Sequence, residues 1–475
     1  MNDSNLSVGR GSALILATIV LGMFLDGLDG TIVNVALPEI ASDFQIDSST
    51  SSWIVTIYFL VLAGLVLVFG KLCDSGAIKK IVLVGLAIFT IGSLACGLSF
   101  DIGVLLASRA IQGIGASMLA ASCIMLSVKF LPPGKVRFGL ALGLLGSSIG
   151  AAVGPALGGV LAATMSWHWI FFINVPIGII ALFIARKGIP ADTGFDRSAF
   201  DYKGSAILFL ALICGLYTLE SFPSHGVTTV TVVSLILFVI LFAAFLMYER
   251  RISYPVLKLR LFKSRRFDAV CISFLLVNAC YMGCLYLLPF YMRVELGYGT
   301  IMCGLFLLIM ALVTLVFCLK SSKMAETRGN RPLVLAGCVV LIIAMIVLSF
   351  INAGLSVWFL VLGLALMGLV WGICGVPIGA RLIDNVPPED KGSGSSLLSF
   401  FIYFGNAVGT ALFSGLFGFG SNASGQPIAD LDPAIFMNGF SFAMTVGVVL
   451  AVIALVTAWV VNENKRKAAE GSSRV

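Results

Sequence analysis

Fourteen stretches of this chain are each apolar for about the thickness of a lipid bilayer, and that property decides most of what the chain can become. They lie near 12–36, 52–70, 80–100, 104–128, 138–163, 169–186, 204–222, 227–248, 269–292, 300–319, 333–352, 356–380, 395–418 and 437–461, separated by clusters of glycine, proline and charge. A helix needs about 20 mainly apolar residues to cross the hydrocarbon core. Of the 475 residues, 59% are hydrophobic and only 11% charged, where a soluble domain carries about 25% charged residues. An aqueous core cannot hide that much apolar surface, so the expected fold is an all-α membrane protein. Only Arg10 precedes the first run as a basic residue, and the run exceeds a signal-peptide core. It reads as a retained first membrane helix. The eleven cysteines stand singly, nearly all in apolar stretches and without C-x-x-C spacing, as small buried hydrophobes do. Two histidines, His168 and His225, give a metal site little to draw on.

Charge predicts the orientation. With the N-terminus in the cytoplasm and the spans alternating, Lys71, Lys79, Lys80, Lys129, Lys135 and Arg137 fall on the inner side. So do the basic residues from Arg186 to Lys203, Arg250 to Arg266 and Lys320 to Arg331, then Arg381, Lys391 and the tail from Lys465. Of thirty Lys and Arg residues, only Arg109, inside a span, and Arg293, at an outer end, do not fit. The opposite loops carry Glu39, Asp43, Asp47, Asp101, Asp430 and Asp432. Cytoplasmic loops hold the Lys/Arg excess in membrane proteins. Both termini are therefore expected inside, and the net charge of +7 reads as topology and lipid contact rather than nucleic-acid binding.

The chain repeats itself. "GAAVGPAL" at Gly150 returns as "GNAVGTAL" at Gly405, 255 residues on, and "GKLCDSGAIKK" at Gly70 has a weaker echo in "SKMAETRGNRP" at Ser322, 252 residues on. Each pair occupies the same ordinal place in two sets of six spans once the seventh and eighth are set aside. The expected organisation is 6 + 2 + 6: a six-helix bundle over 1–195, a two-helix insert and linker over 196–266, and a second six-helix bundle with a short basic tail over 267–475. Internal repeats that rock about a central site are a plan of secondary transporters.

Five stretches carry chemistry. In "LDGTIVNVALP" (28–38) Asp29 follows Asp26 by three residues, so the two acids share a helix face in the middle of the first span. In "GKLCDSGAIKK" Gly70 permits close backbone approach, Asp74 can face a helix N-terminus or a cation, and Lys79 and Lys80 mark the inner side. "RAIQGIGA" puts Arg109 at membrane depth, where a cation costs about 2.5–3.5 kcal/mol unless paired or wet. Gln112 lies one turn on, and Gly113 and Gly115 admit a neighbouring helix. A snorkelling Arg at a helix end is the competing reading. "GAAVGPALGG" lines up Gly150, Gly154 and Gly158, beside Gly159, for tight helix contact, and Pro155 permits a kink. "WHWIFFINVPIG" begins with Trp167, suited to a membrane interface, and Asn174 with Pro176 marks a polar, bent point.

Together these stretches resemble the major facilitator superfamily, and within it the fourteen-helix branch of drug:proton antiporters. The resemblance covers nearly the whole chain. It implies a multidrug efflux transporter working by alternating access, with Arg109 a buried partner of the first-helix acid and a participant in proton coupling. Asp29 stands at the acidic position of the family's first-helix motif, and the Gly70–Lys80 loop at its inner latch between halves. The glycine motif resembles that of exporters rather than importers. Departures are Ser75 where a basic residue is usual, Ala77 where glycine is usual, and His168 where arginine is usual.

Asp26 and Asp29 then read as a proton switch that also attracts a cationic substrate. Burial and mutual repulsion favour proton uptake, and Arg109 opposes it on whichever acid it touches. The competing reading is that one Asp only pairs with Arg109 and fixes packing. Glu220 reads as a solvated rim charge, and Asp384 and Glu389 as loop charges outside the path. Met118, Tyr281 and Met282 either line a cavity or pack. The expected function is proton-coupled export of amphipathic or cationic compounds across the cell membrane, by a monomer whose partners are protons, substrate and lipid. No cofactor is expected; the proton gradient supplies the energy, and no GxxxxGK[ST] phosphate loop is present. The alternative is a dedicated exporter of one solute or lipid, such as a glycolipid, peptide or siderophore. An enzyme would need a convergent nucleophile–base or metal constellation, which this sequence does not offer.

Overall fold

The computed structural model describes residues 3–74, 76–192, 201–252, 255, 257–351, 357–387, 391–423 and 425–460. Ser75, Glu389, the basic tail from Lys465 and the expected boundary at 195/196 lie outside them, as do the side chains of Asp74, His225 and Lys391. The helices are α1 (Asp3–Asp43), α2 (Ser48–Asp74), α3 (Ile78–Gly97), α4 (Ile102–Phe130), α5 (Pro133–Thr164), α6 (Trp169–Phe172), α7 (Asn174–Gly188), α8 (Tyr202–His225), α9 (Thr229–Glu249), α10 (Arg265–Val294), α11 (Thr300–Arg328), α12 (Asn330–Ser349), α13 (Val357–Asp384), α14 (Lys391–Ser421) and α15 (Pro433–Val460). Fourteen spans are long and apolar enough to cross a membrane, α6 and α7 forming the sixth together. No strand occurs among the described residues.

Several ends extend beyond the apolar runs, and two departures from the sequence expectation lie at prolines. The first helix continues through Pro38 to Asp43. Leu37, Ile40 and Ala41 are fully buried there, so packing carries the helix past the missing donor. The sixth span, in contrast, breaks at Ile173. Pro176 has no N–H to give the Phe172 carbonyl and its ring crowds that group, which frees the start of α7 to turn Asn174 inward.

The packing repeats with the sequence. In the first six spans α1 packs on α4, α5 and α7, α4 on α2 and α3, and α3 on α7; in the last six, α10 packs on α13, α14 and α15, α13 on α11 and α12, and α12 on α15. The two sets meet along α2–α14 and α5–α11, and α8 lies against both α2 and α14. Helices in lipid gain little from hydrophobic burial and associate through close fit. The glycine motif supplies that fit: a Cβ on Gly150 would stand 2.4 Å from Phe24 O, and one on Gly154 would stand 2.2 Å from Thr31 Oγ1. Gly158 faces Ile32 of α1 likewise, whereas Gly159 faces Thr300 and Gly304 of α11. In the second set Gly409 repeats the role of Gly154, against Ala279 of α10.

Pro155 leaves the Ala151 carbonyl without its intrahelical donor. Thr31 Oγ1 of α1 lies 3.2 Å from that oxygen. At the repeat position Thr410 keeps its backbone N–H, and its hydroxyl donates to Asn406 O at 3.0 Å. The same place in the two halves thus meets a hydroxyl of a neighbouring helix in one, shared with Gly27 O, and a donor from within the helix in the other.

At the end of the bundle where α1 finishes and α2 begins, the halves are joined by polar contacts. Tyr286 of α10 donates to Ser48 O at 2.7 Å and lies 2.8 Å from Ser51 Oγ. Ser414 of α14 donates to Ser48 O at 2.8 Å, Ile428 N to Ile46 O at 3.2 Å, and Thr300 to Glu39.

Candidate functional site

The two acids of α1 sit about 20–25 Å from the helix end at Asp43, by the rise of 1.5 Å per residue, at the middle of the bundle. They do not share an environment. Asp29 is fully buried and faces α4 and α7. Its Oδ2 accepts from Arg109 Nη1 at 2.6 Å, and its Oδ1 accepts from Gln112 Nε2 at 2.7 Å and Asn174 Nδ2 at 3.1 Å. Arg109, 1% exposed, also donates from Nη1 to Gln112 Oε1 at 2.7 Å and from Nε to Ile54 O of α2 at 3.0 Å. Its guanidinium lies 4.2 Å from the Tyr58 ring centre, a cation–π position. Gln112 closes the network by donating to Ser93 Oγ of α3 at 2.8 Å. One carboxylate and one guanidinium thus cancel in charge, and the pair makes further hydrogen bonds with α2, α4 and α7, with α3 reached through Gln112. This is the geometry a buried ion pair needs to persist in a medium that penalises isolated charge.

Asp26, one turn away, faces the other half. Tyr403 of α14 donates to its Oδ2 at 3.1 Å. Its Oδ1 is buried and has no hydrogen-bond partner among the described residues. Gly27 beside it leaves room only for Ser147 of α5, whose carbonyl oxygen would lie 2.1 Å from an added Cβ. Among the described residues the ion pair forms with Asp29, so the two acids, three residues apart on α1, meet different partners.

Of the other expected site residues, Gly113 and Gly115 let α2 and α3 close on α4, against Tyr58 O and Phe89 N respectively. The snorkelling alternative for Arg109 is ruled out by its burial. Gly70 lies under Ser396 of α14, 3.1 Å from an added Cβ. Lys79 donates from Nζ to Ile189 O at 2.6 Å, and the backbone N–H groups of Lys79 and Lys80 bond Asp192. These two lysines tie α3 to the end of α7 within one half, with Asp192 capping the α3 N-terminus. Lys71 bonds Pro255 O of the linker. Trp167 is buried beside the end of α1, donating to Asp43 at 2.9 Å and stacked on His168 at 3.6 Å. Pro176 is exposed on the outer side of α7. Glu220 is also corrected: it is 1% exposed, and Trp53 of α2 donates to it at 3.4 Å. α8 brings it inward against α2 instead of out to the rim. Met118 packs over Gly85 and Tyr281 against Trp371.

Sequence reasoning misses Tyr58, Ser93 and Tyr403. Each is a single hydroxyl in an apolar run, and the one signal the sequence offers is that such a group at membrane depth requires a partner.

The family model described as Major Facilitator Superfamily matches residues 19–410. Among curated proteins the chain is 31% identical to "Riboflavin transporter RibZ" of Clostridioides difficile (strain 630), covering 85% of this chain and 88% of that protein. It is 29% identical to "Multidrug resistance protein Stp" of Mycobacterium tuberculosis (strain ATCC 25618 / H37Rv), covering 88% and 78%. Among solved structures, a bacterial homolog of the human lysosomal transporter Spinster, inward-facing and occupied, superposes with a TM-score of 0.65 at 16% identity, covering 95% of this chain and 96% of the other.

Proposed function

Since the chain belongs to the Major Facilitator Superfamily, a family of membrane transporters, we propose that it is a proton-driven exporter of amphipathic or cationic compounds. The observation that carries this reading is the contrast between its two buried acids. Asp29 is held by three donors, whereas Asp26 keeps one buried oxygen unpartnered. A carboxylate at membrane depth with an open oxygen is equipped to take up a proton or an organic cation in turn. Asp29, Arg109, Gln112 and Asn174 form a closed network one turn along α1 from it.

Export rather than import is supported by the glycine motif of α5 and by relatives named multidrug resistance proteins. In this proposal the basic loops face the cytoplasm, the protein sits in the cell membrane as a monomer, and the halves 1–195 and 267–475 rock about Asp26 while 196–266 serves as insert and linker. Gly70 meets Ser396 of the second half on the inner side, Lys71 ties the first half to the linker at Pro255, and Asp74 belongs to the same loop. One charge crossing 100 mV releases about 2.3 kcal/mol, so the gradient is a sufficient energy source and no cofactor is invoked.

A narrower reading, transport of one solute, has support from the relative named as a riboflavin transporter. One assay separates the two: uptake of ethidium and of riboflavin into reconstituted vesicles under an imposed pH gradient, with and without a protonophore. Ethidium uptake abolished by the protonophore supports the first reading. Uptake of riboflavin alone supports the second, and uptake indifferent to the protonophore contradicts proton coupling.

A further inference from the structure

We propose that the Tyr403 hydroxyl is a latch through which the second half of the transporter reads the charge on Asp26. The proposal rests on the antiporter reading for its consequence in transport, but the latch itself is a statement about two helices. Tyr403 is the group of α14 that bonds Asp26 across the midline, at 3.1 Å. Both side chains are 9% exposed. Phe59 of α2 lies near-parallel to the Tyr403 ring, with centres 6.4 Å apart and planes 20° apart. The bond therefore joins α1 of one half to α14 of the other, beside the α2–α14 seam.

The two carboxylate oxygens have separate tasks. Oδ2 holds the latch, and Oδ1 is buried and unpartnered. A proton from the aqueous phase binds Oδ1 without displacing any existing donor. The carboxylate becomes a neutral acid, and Oδ2 turns from an anionic acceptor into a carbonyl acceptor. A hydrogen bond to an ionised group is roughly twice as strong as a neutral one, so proton arrival loosens the latch and proton departure tightens it. Among the described residues, the titratable groups electrostatically coupled to Asp26 are Asp29 on its own helix, Tyr58 of α2, Cys123 of α4 and Tyr403 itself. Arg109 acts on Asp29 directly. Asp29 is saturated by its own donors, which leaves Tyr403 as the neighbour that can convert a change of charge at Asp26 into a change of contact between halves.

A mere space-filling or solvating role for Tyr403 makes different predictions. Hydrogen exchange of the backbone over 398–410 is followed in lipid nanodiscs on the acid and alkaline sides of neutrality, corrected for intrinsic rates, in wild type, Tyr403→Phe, Asp26→Asn and the double variant. The latch predicts at least about threefold faster exchange on the acid side in wild type, as expected when a charge-assisted bond loses half its strength. It predicts loss of that pH response in each single variant, with no further change in the double variant. A Tyr403→Phe protein that keeps the wild-type pH response overturns the latch, as does additive behaviour in the double variant. Asp26→Asn is nearly isosteric and Tyr403→Phe removes one oxygen, so circular dichroism distinguishes failure to fold. The same proteins in vesicles give the transport consequence: the ratio of gradient-driven to gradient-free ethidium exchange falls about tenfold in Tyr403→Phe, the scale of one hydrogen bond to a charged group. Wild type without gradient-driven flux refutes the antiporter reading, while the exchange experiment still decides the latch.

Discussion

Arg109 Nη1 lies 2.6 Å from Asp29 Oδ2, with both side chains withdrawn from solvent. The pair joins α1 to α4 at mid-depth, and its polar shell extends to Ile54, Ser93 and Asn174 on three further helices. It is thus the polar centre of the first six spans. Removing one member strands the other as an uncompensated buried charge, which costs about 3–5 kcal/mol. Asp29→Asn and Arg109→Gln should each lower the melting temperature in detergent strongly. The double variant should lose clearly less than the sum, because neither charge is then left alone. Additive losses would show that the two side chains do not act as a pair.

The α1–α5 contact makes a second prediction. The Ala151 carbonyl, left without a donor by Pro155, lies 3.2 Å from the Thr31 hydroxyl, which it shares with Gly27 O of α1 at the same distance. Thr31→Val preserves shape and removes that donor, at about 1–3 kcal/mol for a buried unsatisfied carbonyl. Adding Pro155→Ala restores a backbone donor in α5 and should recover part of the loss. Thermal unfolding of the four proteins in the cycle gives the coupling, and zero coupling refutes the assignment.

Glycine positions provide a third. An added Cβ at Gly150 meets the α1 backbone at Phe24 O, whereas Gly134 has nothing within 4 Å. Gly150→Ala should destabilise by about 1–3 kcal/mol through overpacking. Gly134→Ala should be neutral or slightly stabilising, since Ala is the better helix former. Equal melting temperatures for the two variants would contradict the close α1–α5 approach.

Much of this architecture is legible in the amino-acid sequence. The fourteen spans follow from apolar run length, and Gly150 and Gly405 announce a repeat that the packing of α5 on α1 and α14 on α10 then displays. Arg109 and Gln112 sit three residues apart, so helical periodicity alone puts them on one face, and an Arg at depth demands an acid. Which acid it takes is not legible from spacing, and only the family resemblance points to Asp29. The i, i+3 spacing of Asp26 and Asp29 describes a helix face but not that Asn174 reaches Asp29 from α7 or that Tyr403 reaches Asp26 from α14. Tyr403 is 377 residues from Asp26 in sequence, and no local pattern records such a contact. Glu220 is misplaced by sequence reasoning for a related reason: nearness to a span end does not reveal that α8 packs between α2 and α14.

The assignment of different tasks to the two acids is tested most directly by the pH-gradient dependence of ethidium flux in reconstituted vesicles carrying wild type or Asp26→Asn. If Asp26 is the exchanging carboxylate, wild type transports faster with the gradient, and Asp26→Asn folds with near wild-type thermal stability but loses at least about tenfold of the gradient-driven component, the scale of a group that carries coupling rather than packing. An Asp26→Asn protein that keeps its full response to the gradient would contradict the account and move proton exchange to Asp29 and its network.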